Sequence, residues 1–309
     1  MVEQDRLVTL ASKELQLVAD PACGGKLRSL VSRRSGREFF YQDRRRAFDG
    51  GKGYSYHDIG GGDECFPTVA ACRGRTPAGD FYDYADHGLL WQGAWQVREH
   101  GGELVMTCEV PSLNCSFTRR CSFQTHDTLR LDYRLVNHGG KPVPFVYSAH
   151  PLLAADGRTR VVLPSGLVRA FNYVSADNFG VPNGQWFDLP APLPADLTGP
   201  FSLGRRTFVK LFSDKLAEGR AAVEYPDVGE RLVFAFDTAA LPYVGFLACQ
   251  GYDSLADGHF ANEFLLAFEP TTGIGDDLPT CIRTNTLKVL TPGAALSFWI
   301  RLTVERSTT

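Results

Sequence analysis

The sequence predicts an all-β protein, a large antiparallel β-sandwich, on three observations. Apolar residues alternate with polar ones far more often than they recur at helical spacing. Turn formers are frequent, with 31 glycines and 18 prolines in 309 residues. No capped amphipathic run extends beyond a turn or two. Short period-two segments with turns every ten residues or so are the pattern of a sandwich or barrel.

The elements follow in order. Segments 8–10, 15–20, 104–110 and 115–123 read as strands. Leu129, Leu131, Tyr133 and Leu135 are separated by Arg130, Asp132 and Arg134, a clear period of two. Asn137-His138-Gly139-Gly140 supplies a turn, and 143–147 reads as the returning strand. Segments 208–212, 232–236, 244–249 and 264–268 are further strands. At the end, Leu296, Phe298, Ile300 and Leu302 face one way and Ser297, Trp299, Arg301 and Thr303 the other. No repeat or composition shift divides the chain, so one domain over 1–309 is expected. Two long segments, 44–84 and 175–200, lack strand pattern. Loops that long in a compact domain are functional or disordered. Their aromatics (Phe48, Tyr54, Tyr56 and Phe66; Phe179, Trp186 and Phe187) argue against disorder.

Bulk composition narrows the class. The net charge is −3, from 35 acids and 32 bases. The one basic tract, Arg44-Arg45-Arg46, is too short to argue for nucleic acid. No apolar run approaches the ~20 residues of a membrane span. The N-terminus lacks the apolar core of a signal peptide, so a cytoplasmic location is expected. The eight cysteines form no Cys-x-x-Cys pair and read as buried thiols. A monomer or a homodimer is expected.

The chemistry-bearing residues stand beside apolar strands. In Phe268-Glu269-Pro270-Thr271-Thr272-Gly273 a strand ends in a carboxylate, and proline cannot continue a central strand. Glu269 is therefore expected where a strand hands over to a loop; the plainer reading is an exposed strand-end glutamate. His150 is placed alike, in Ser148-Ala149-His150-Pro151. Two strands of one sheet can present both side chains to a common face. A histidine near its usual pKa of ~6.5 gives or takes a proton at neutral pH, and a carboxylate is a natural partner base. A hydrogen-bonded structural histidine is the other reading.

Asp86-His87-Gly88 precedes Trp91 and Trp95, an arrangement suited to a sugar pocket with an aromatic platform, or to core tryptophans beside a surface histidine. His57, Asp58, Asp63 and Glu64 surround Gly60-Gly61-Gly62, but their spacing matches no metal-ligand motif. The glycines mark a loop needing positive φ. Glu64, with Phe66 and Pro67, reads as a pocket wall. No metal, nicotinamide or other cofactor is expected. No Gly-x-Ser-x-Gly elbow appears, which disfavours a serine hydrolase.

Together these residues resemble the galactose mutarotase-like, or aldose 1-epimerase, superfamily. The resemblance rests on Cys23-Gly-Gly-Lys-Leu-Arg-Ser-Leu, Ser35-Gly-Arg-Glu-Phe, Asp63-Glu64-Cys65-Phe66-Pro67-Thr68, Asp86-His87-Gly88, His150-Pro151-Leu152-Leu153 and the Glu269 segment, in that order. It implies a β-supersandwich with its site on a broad concave face, and interconversion of the α and β anomers of a sugar or sugar phosphate. It implies Glu269 as the base on the anomeric hydroxyl, His150 as the acid on the ring oxygen, and His87 as a positioning group. The chain departs from that pattern. Leu89-Leu90-Trp91 follows His87-Gly88 where an arginine is usual, and Lys210 stands in a region expected to carry an aspartate. Lys210, Arg46 or Arg73 could pair with a substrate phosphate or carboxylate, or be solvated cations. Asp86, His87, Glu64, Trp91 and Lys210 are thus the expected substrate-binding residues, with Glu269 and His150 catalytic. A non-catalytic sugar-binding or regulatory protein on the same scaffold is the rival reading. A carbohydrate hydrolase would want a second carboxylate, from Asp63, Glu64, Asp276 or Asp277.

Overall fold

The computed structural model describes residues 7–43, 53–54, 57–176, 179–189, 207–251 and 263–307. Arg44–Arg46, Phe48 and Tyr56 lie outside the described residues.

Two large antiparallel sheets dominate. The first runs, edge to edge, Val8–Ala11, Leu15–Asp20, Lys26–Ser32, Gly62–Cys65, Ser148–Pro151, Phe264–Thr271, Tyr243–Gln250, Thr207–Ser213, Arg169–Ser175 and Gln185–Asp188. A short strand, Leu153–Ala154, also pairs with Phe264–Thr271. The second sheet runs Arg160–Val162, Arg220–Tyr225, Glu230–Phe236, Ala295–Arg306, Thr128–Asn137, Cys115–Phe123, Glu103–Val110 and Gln96–His100. The long period-two runs are the central strands of this second sheet. There Leu129, Leu131, Tyr133 and Leu135 register against Leu302, Ile300, Phe298 and Leu296. All eight residues point into the space between the sheets or pack against it. The described structure holds one α-helix, Leu278–Arg283, capped by Asp277, whose Oδ1 accepts from Thr280 N at 2.7 Å.

Strand parity sorts the first sheet into two faces. Leu266 and Phe268 join the core between the sheets, while Leu265 and Ala267 belong to a separate apolar cluster on the outer face. Glu269 therefore faces outward with Leu265 and Ala267.

Two expectations are corrected. Segment 143–147 does not return along Thr128–Asn137. Val143–Phe145 pairs with Lys288–Leu290 in a separate two-stranded sheet, and the chain then enters the first sheet at Ser148. The strand beside Thr128–Asn137 is instead Cys115–Phe123, from the preceding hairpin. Nor does proline end the Glu269 strand, which continues through Pro270 to Thr271. On one side Tyr243–Gln250 pairs along its whole length. On the other, paired partners occur only at Thr271, Leu266 and Leu265. A proline, which cannot donate, is tolerated where the ladder is interrupted. No disulfide joins any of the cysteines among the described residues. No helix among the described residues is long and apolar enough to cross a membrane.

Candidate functional site

A row of polar side chains crosses the outer face of the first sheet. Register places His150 opposite Asp63 on one neighbouring strand. Ser148 opposite Thr271 and Leu153 opposite Leu266 share one register, which puts His150 opposite Glu269 on the other side. Beyond Glu269 the facing residue is Gly245. A Cβ there would meet Glu269 Cβ and Phe212 Cε1 at 3.3 Å and Lys210 Cε at 3.4 Å. The missing side chain leaves the space through which Lys210, one strand further, reaches Glu269.

His150 thus sits between two lysine–carboxylate pairs. On one side Lys26 Nζ lies 2.5 Å from Asp63 Oδ2 and donates to Gly60 O, and Tyr54 OH donates to the same Asp63 oxygen at 2.9 Å. Burial and the Asp63 charge raise the Tyr54 pKa, so the phenol stays a donor. On the other side Lys210 Nζ lies 2.5 Å from Glu269 Oε2 and 3.4 Å from Asp276 Oδ1. Burial works against the Lys210 ammonium, but Asp276 and Glu269 outweigh it and raise the pKa. Burial, with the like charge of Glu269, raises the Asp276 carboxyl to about 6 against the pull of Lys210. Two carboxylates share one ammonium, and the surplus negative charge shows in Asp276.

His150 Nε2 is 3.8 Å from Glu269 Oε1, which is too long for a hydrogen bond. Burial, then the nearby His87 and Lys210, hold the His150 pKa well below its usual value, so the imidazole is neutral at pH 7. His150 Nδ1, Glu269 Oε1 and Asp63 Oδ1 are buried without a hydrogen-bond partner among the described residues. Buried polar atoms are nearly always satisfied, and exceptions point to function or to bound molecules.

His87 completes the group. Its ring stacks on Tyr54 with centroids 3.5 Å apart and meets His150 edge-on at 5.0 Å. It takes a left-handed backbone with φ 56°, uncommon outside glycine, and its N–H donates to Val69 O at 2.5 Å. His87 Nδ1 lies 3.1 Å from Asp86 Oδ2. Burial opposes the Asp86 charge, yet contact with His87 prevails and lowers its pKa.

These side chains frame a cavity of about 270 Å³. Tyr54, Asp86, His87, His150, Lys210 and Asp276 supply its polar wall, and Leu152, Phe208, Leu247 and Leu265 much of the apolar one. Glu269 is fully buried below them and does not itself line the cavity.

The structure brings Glu269, His150, His87, Asp86 and Lys210 together, and it moves two expected residues elsewhere. Glu64 does not line this cavity. Its strand neighbour Asp63 faces outward, so parity turns Glu64 into the space between the sheets. There its Oε1 accepts from Arg119 at 2.8 Å and Tyr133 at 3.0 Å, and its Oε2 from Tyr147 at 2.5 Å. Trp91 is buried behind the site, against His57 and edge-on to Tyr54, so Tyr54 and His87 present the ring faces instead. Arg73, outside the cavity lining, is exposed and pairs with Asp83. The metal alternative loses its cluster: Asp58 pairs with Arg28, Asp63 with Lys26, and Glu64 faces inward. In the glycine run Gly61 takes positive φ, 81°. Lys26 and Tyr54 were missed. Lys26 stands in the Cys23-Gly-Gly-Lys stretch, but its partner lies 37 residues away and shows no local signal.

No family model and no curated protein matches the chain. Solved structures do. A protein from Synechocystis sp. PCC 6803 matches with TM-score 0.73 at 17% identity, over 98% of this chain and 96% of its own. An Escherichia coli K12 protein provisionally named an aldose 1-epimerase matches with TM-score 0.73 at 18% identity, over 97% and 99%. A galactose mutarotase related enzyme from Lactobacillus acidophilus matches with TM-score 0.69 at 14% identity, over 98% of each chain. The two large antiparallel sheets and these full-length matches agree: the chain has the galactose mutarotase-like fold.

Proposed function

We propose that the protein is an aldose 1-epimerase-like isomerase that interconverts the α and β anomers of a sugar. The observation that carries this reading is the meeting of a neutral histidine and a lysine-bridged pair of carboxylates at one sugar-sized cavity. Mutarotation needs a base for the anomeric hydroxyl and an acid for the ring oxygen, acting together. The carboxylate removes the O1 proton, C1=O1 forms, and the C1–O5 pair passes to O5; the neutral His150 hydrogen-bonds O5 through its N–H while the proton taken from O1 is handed on to O5. Rotation about C1–C2 and reclosure on the other face of the carbonyl complete the exchange. His87, braced by Asp86 and Tyr54, positions the sugar. Lys210 is paired twice within the protein, which favours a role in setting carboxylate charge over binding a substrate phosphate.

One observation favours the rival reading, a sugar-binding protein without turnover. Lys210 neutralises Glu269, the residue that the family resemblance makes the base. Polarimetry separates the two. Freshly dissolved single anomers of a panel of neutral and phosphorylated aldoses should approach rotational equilibrium faster with the protein than in buffer. In His150→Ala that acceleration should fall by roughly 10²–10⁴-fold, the usual worth of positioned proton transfer. Saturable sugar binding with no acceleration of any aldose would leave the binding protein as the correct reading.

A further inference from the structure

We propose that Asp276, and not Glu269, is the carboxylate that touches the sugar and takes the anomeric proton. The proposal rests on the epimerase reading above and changes its principal base.

Access comes first. A base must come within hydrogen-bond reach of the proton it removes. Asp276 lines the cavity beside His87, His150 and Lys210, with 13% of its side chain exposed. The Glu269 side chain is 0% exposed and does not line the cavity.

Charge comes second. Lys210 Nζ is 2.5 Å from Glu269 and 3.4 Å from Asp276. Coulomb attraction grows as distance falls, so the ammonium offsets the Glu269 charge more closely than that of Asp276. Of two carboxylates sharing one cation, the more loosely held accepts the proton.

Anchoring comes third. The Asp276 carbonyl accepts from Val69 N at 2.9 Å, Ala70 N at 2.7 Å and Thr68 Oγ1 at 3.1 Å. Val69 O in turn holds the His87 N–H. The main chain of Asp276 is therefore fixed to the segment that carries His87, while Asp276 Oδ1 has no hydrogen-bond partner among the described residues.

The charged and titratable groups facing Asp276 are Lys210, Glu269 and His87, with Tyr173, Cys65 and Cys281 also within its field. Burial leads them in raising its carboxyl to about 6. It is mostly ionised at neutral pH and more basic than an ordinary carboxylate. Asp276 takes the O1 proton as C1=O1 forms and the C1–O5 bond breaks toward O5; the neutral His150 N–H hydrogen-bonds O5, and Asp276 passes the proton on to it. Reclosure reverses the proton transfer on the other face of the carbonyl, so the cycle leaves no net change. Lys210 and Glu269 remain in contact throughout.

The test compares the native chain with Asp276→Asn and Glu269→Gln by polarimetry, from acid to neutral pH, on an aldose that the native chain accelerates. Native kcat/KM should rise with pH through an apparent pKa near about 6. Asp276→Asn should lose roughly 10²–10⁴-fold and the rising limb with it. Glu269→Gln should stay above background with its limb moved to lower pH, because it removes a like charge and frees Lys210 for Asp276. Asp276→Asn keeping the native rate and limb while Glu269→Gln loses all turnover would overturn the proposal and leave the epimerase reading standing. Should Asp276→Asn not fold, the Glu269→Gln profile decides: a shifted limb supports Asp276, an abolished rate refutes it. No acceleration of any aldose by the native chain overturns both.

Discussion

Glu64 and Glu269 are buried glutamates on one sheet, and their surroundings differ. Glu64 faces the second sheet, and both of its oxygens are satisfied, by Arg119, Tyr133 and Tyr147. Glu269 faces outward, with Oε2 tied to Lys210 and Oε1 unpartnered among the described residues. The inner network is closed: Arg119, itself fully buried, also donates to Gly25 O and packs over Trp95. The outer network opens on a cavity through Asp276 and His150. A buried polar group with every atom matched joins the sheets, whereas one left incomplete can meet a substrate. Burial alone therefore does not separate a structural carboxylate from a functional one.

The largest effect should come from breaking the closed network. Arg119→Ala leaves the Glu64 charge uncompensated and should cost about 3–5 kcal/mol of stability, measured by urea unfolding at neutral pH. Burial already raises the Glu64 pKa despite Arg119, so the deficit should shrink in acid as Glu64 takes up a proton. A loss below about 1 kcal/mol, the level of a surface pair, would mean that the network does not join the sheets.

The open network should respond in the opposite sense. In the fold the Asp276 carboxyl titrates near about 6, above its ordinary value. Its contribution to stability is therefore full at low pH and lost as the pH rises through about 6. Asparagine carries no such loss. Asp276→Asn should be more stable than the native chain at neutral pH, by on the order of 1–3 kcal/mol, with the gap closing below the ordinary carboxylate range. His150, whose pKa is lowered, loses its contribution as the pH falls below the usual histidine value, but it does so in both proteins and cancels in the comparison. A variant less stable than the native chain at every pH would place Asp276 with Glu64, as a structural carboxylate.

The smallest effect is at Gly245. Alanine there brings a Cβ to 3.3–3.4 Å from Glu269, Phe212 and Lys210. The crowding is offset in part by alanine's lower cost in a strand, for a net change of about 1 kcal/mol. The Lys210–Glu269 contact should nevertheless lengthen, moving the pH dependence of Asp276 more than the stability.

Sequence order and period two identified the β-class, most strands, and the stretches holding Glu269, His150, His87 and Asp86. Their types and neighbours were local, so they could be read without a partner. Glu64 was misassigned because adjacent strand residues point to opposite faces, and which face is outward depends on the strands around them. Trp91 was misassigned because an aromatic beside a pocket and one lining it look alike in sequence. The pairing of Lys26 with Asp63, and of Lys210 with both Glu269 and Asp276, joins residues distant along the chain. By itself, the sequence determined a two-faced β-sheet protein with its titratable residues beside apolar strands, since alternation and turn chemistry are local properties. Only the tertiary structure decided which carboxylate is closed in, which is quenched by a lysine and which reaches the cavity. Those outcomes depend on register across strands and on the distance from one ammonium to two acids.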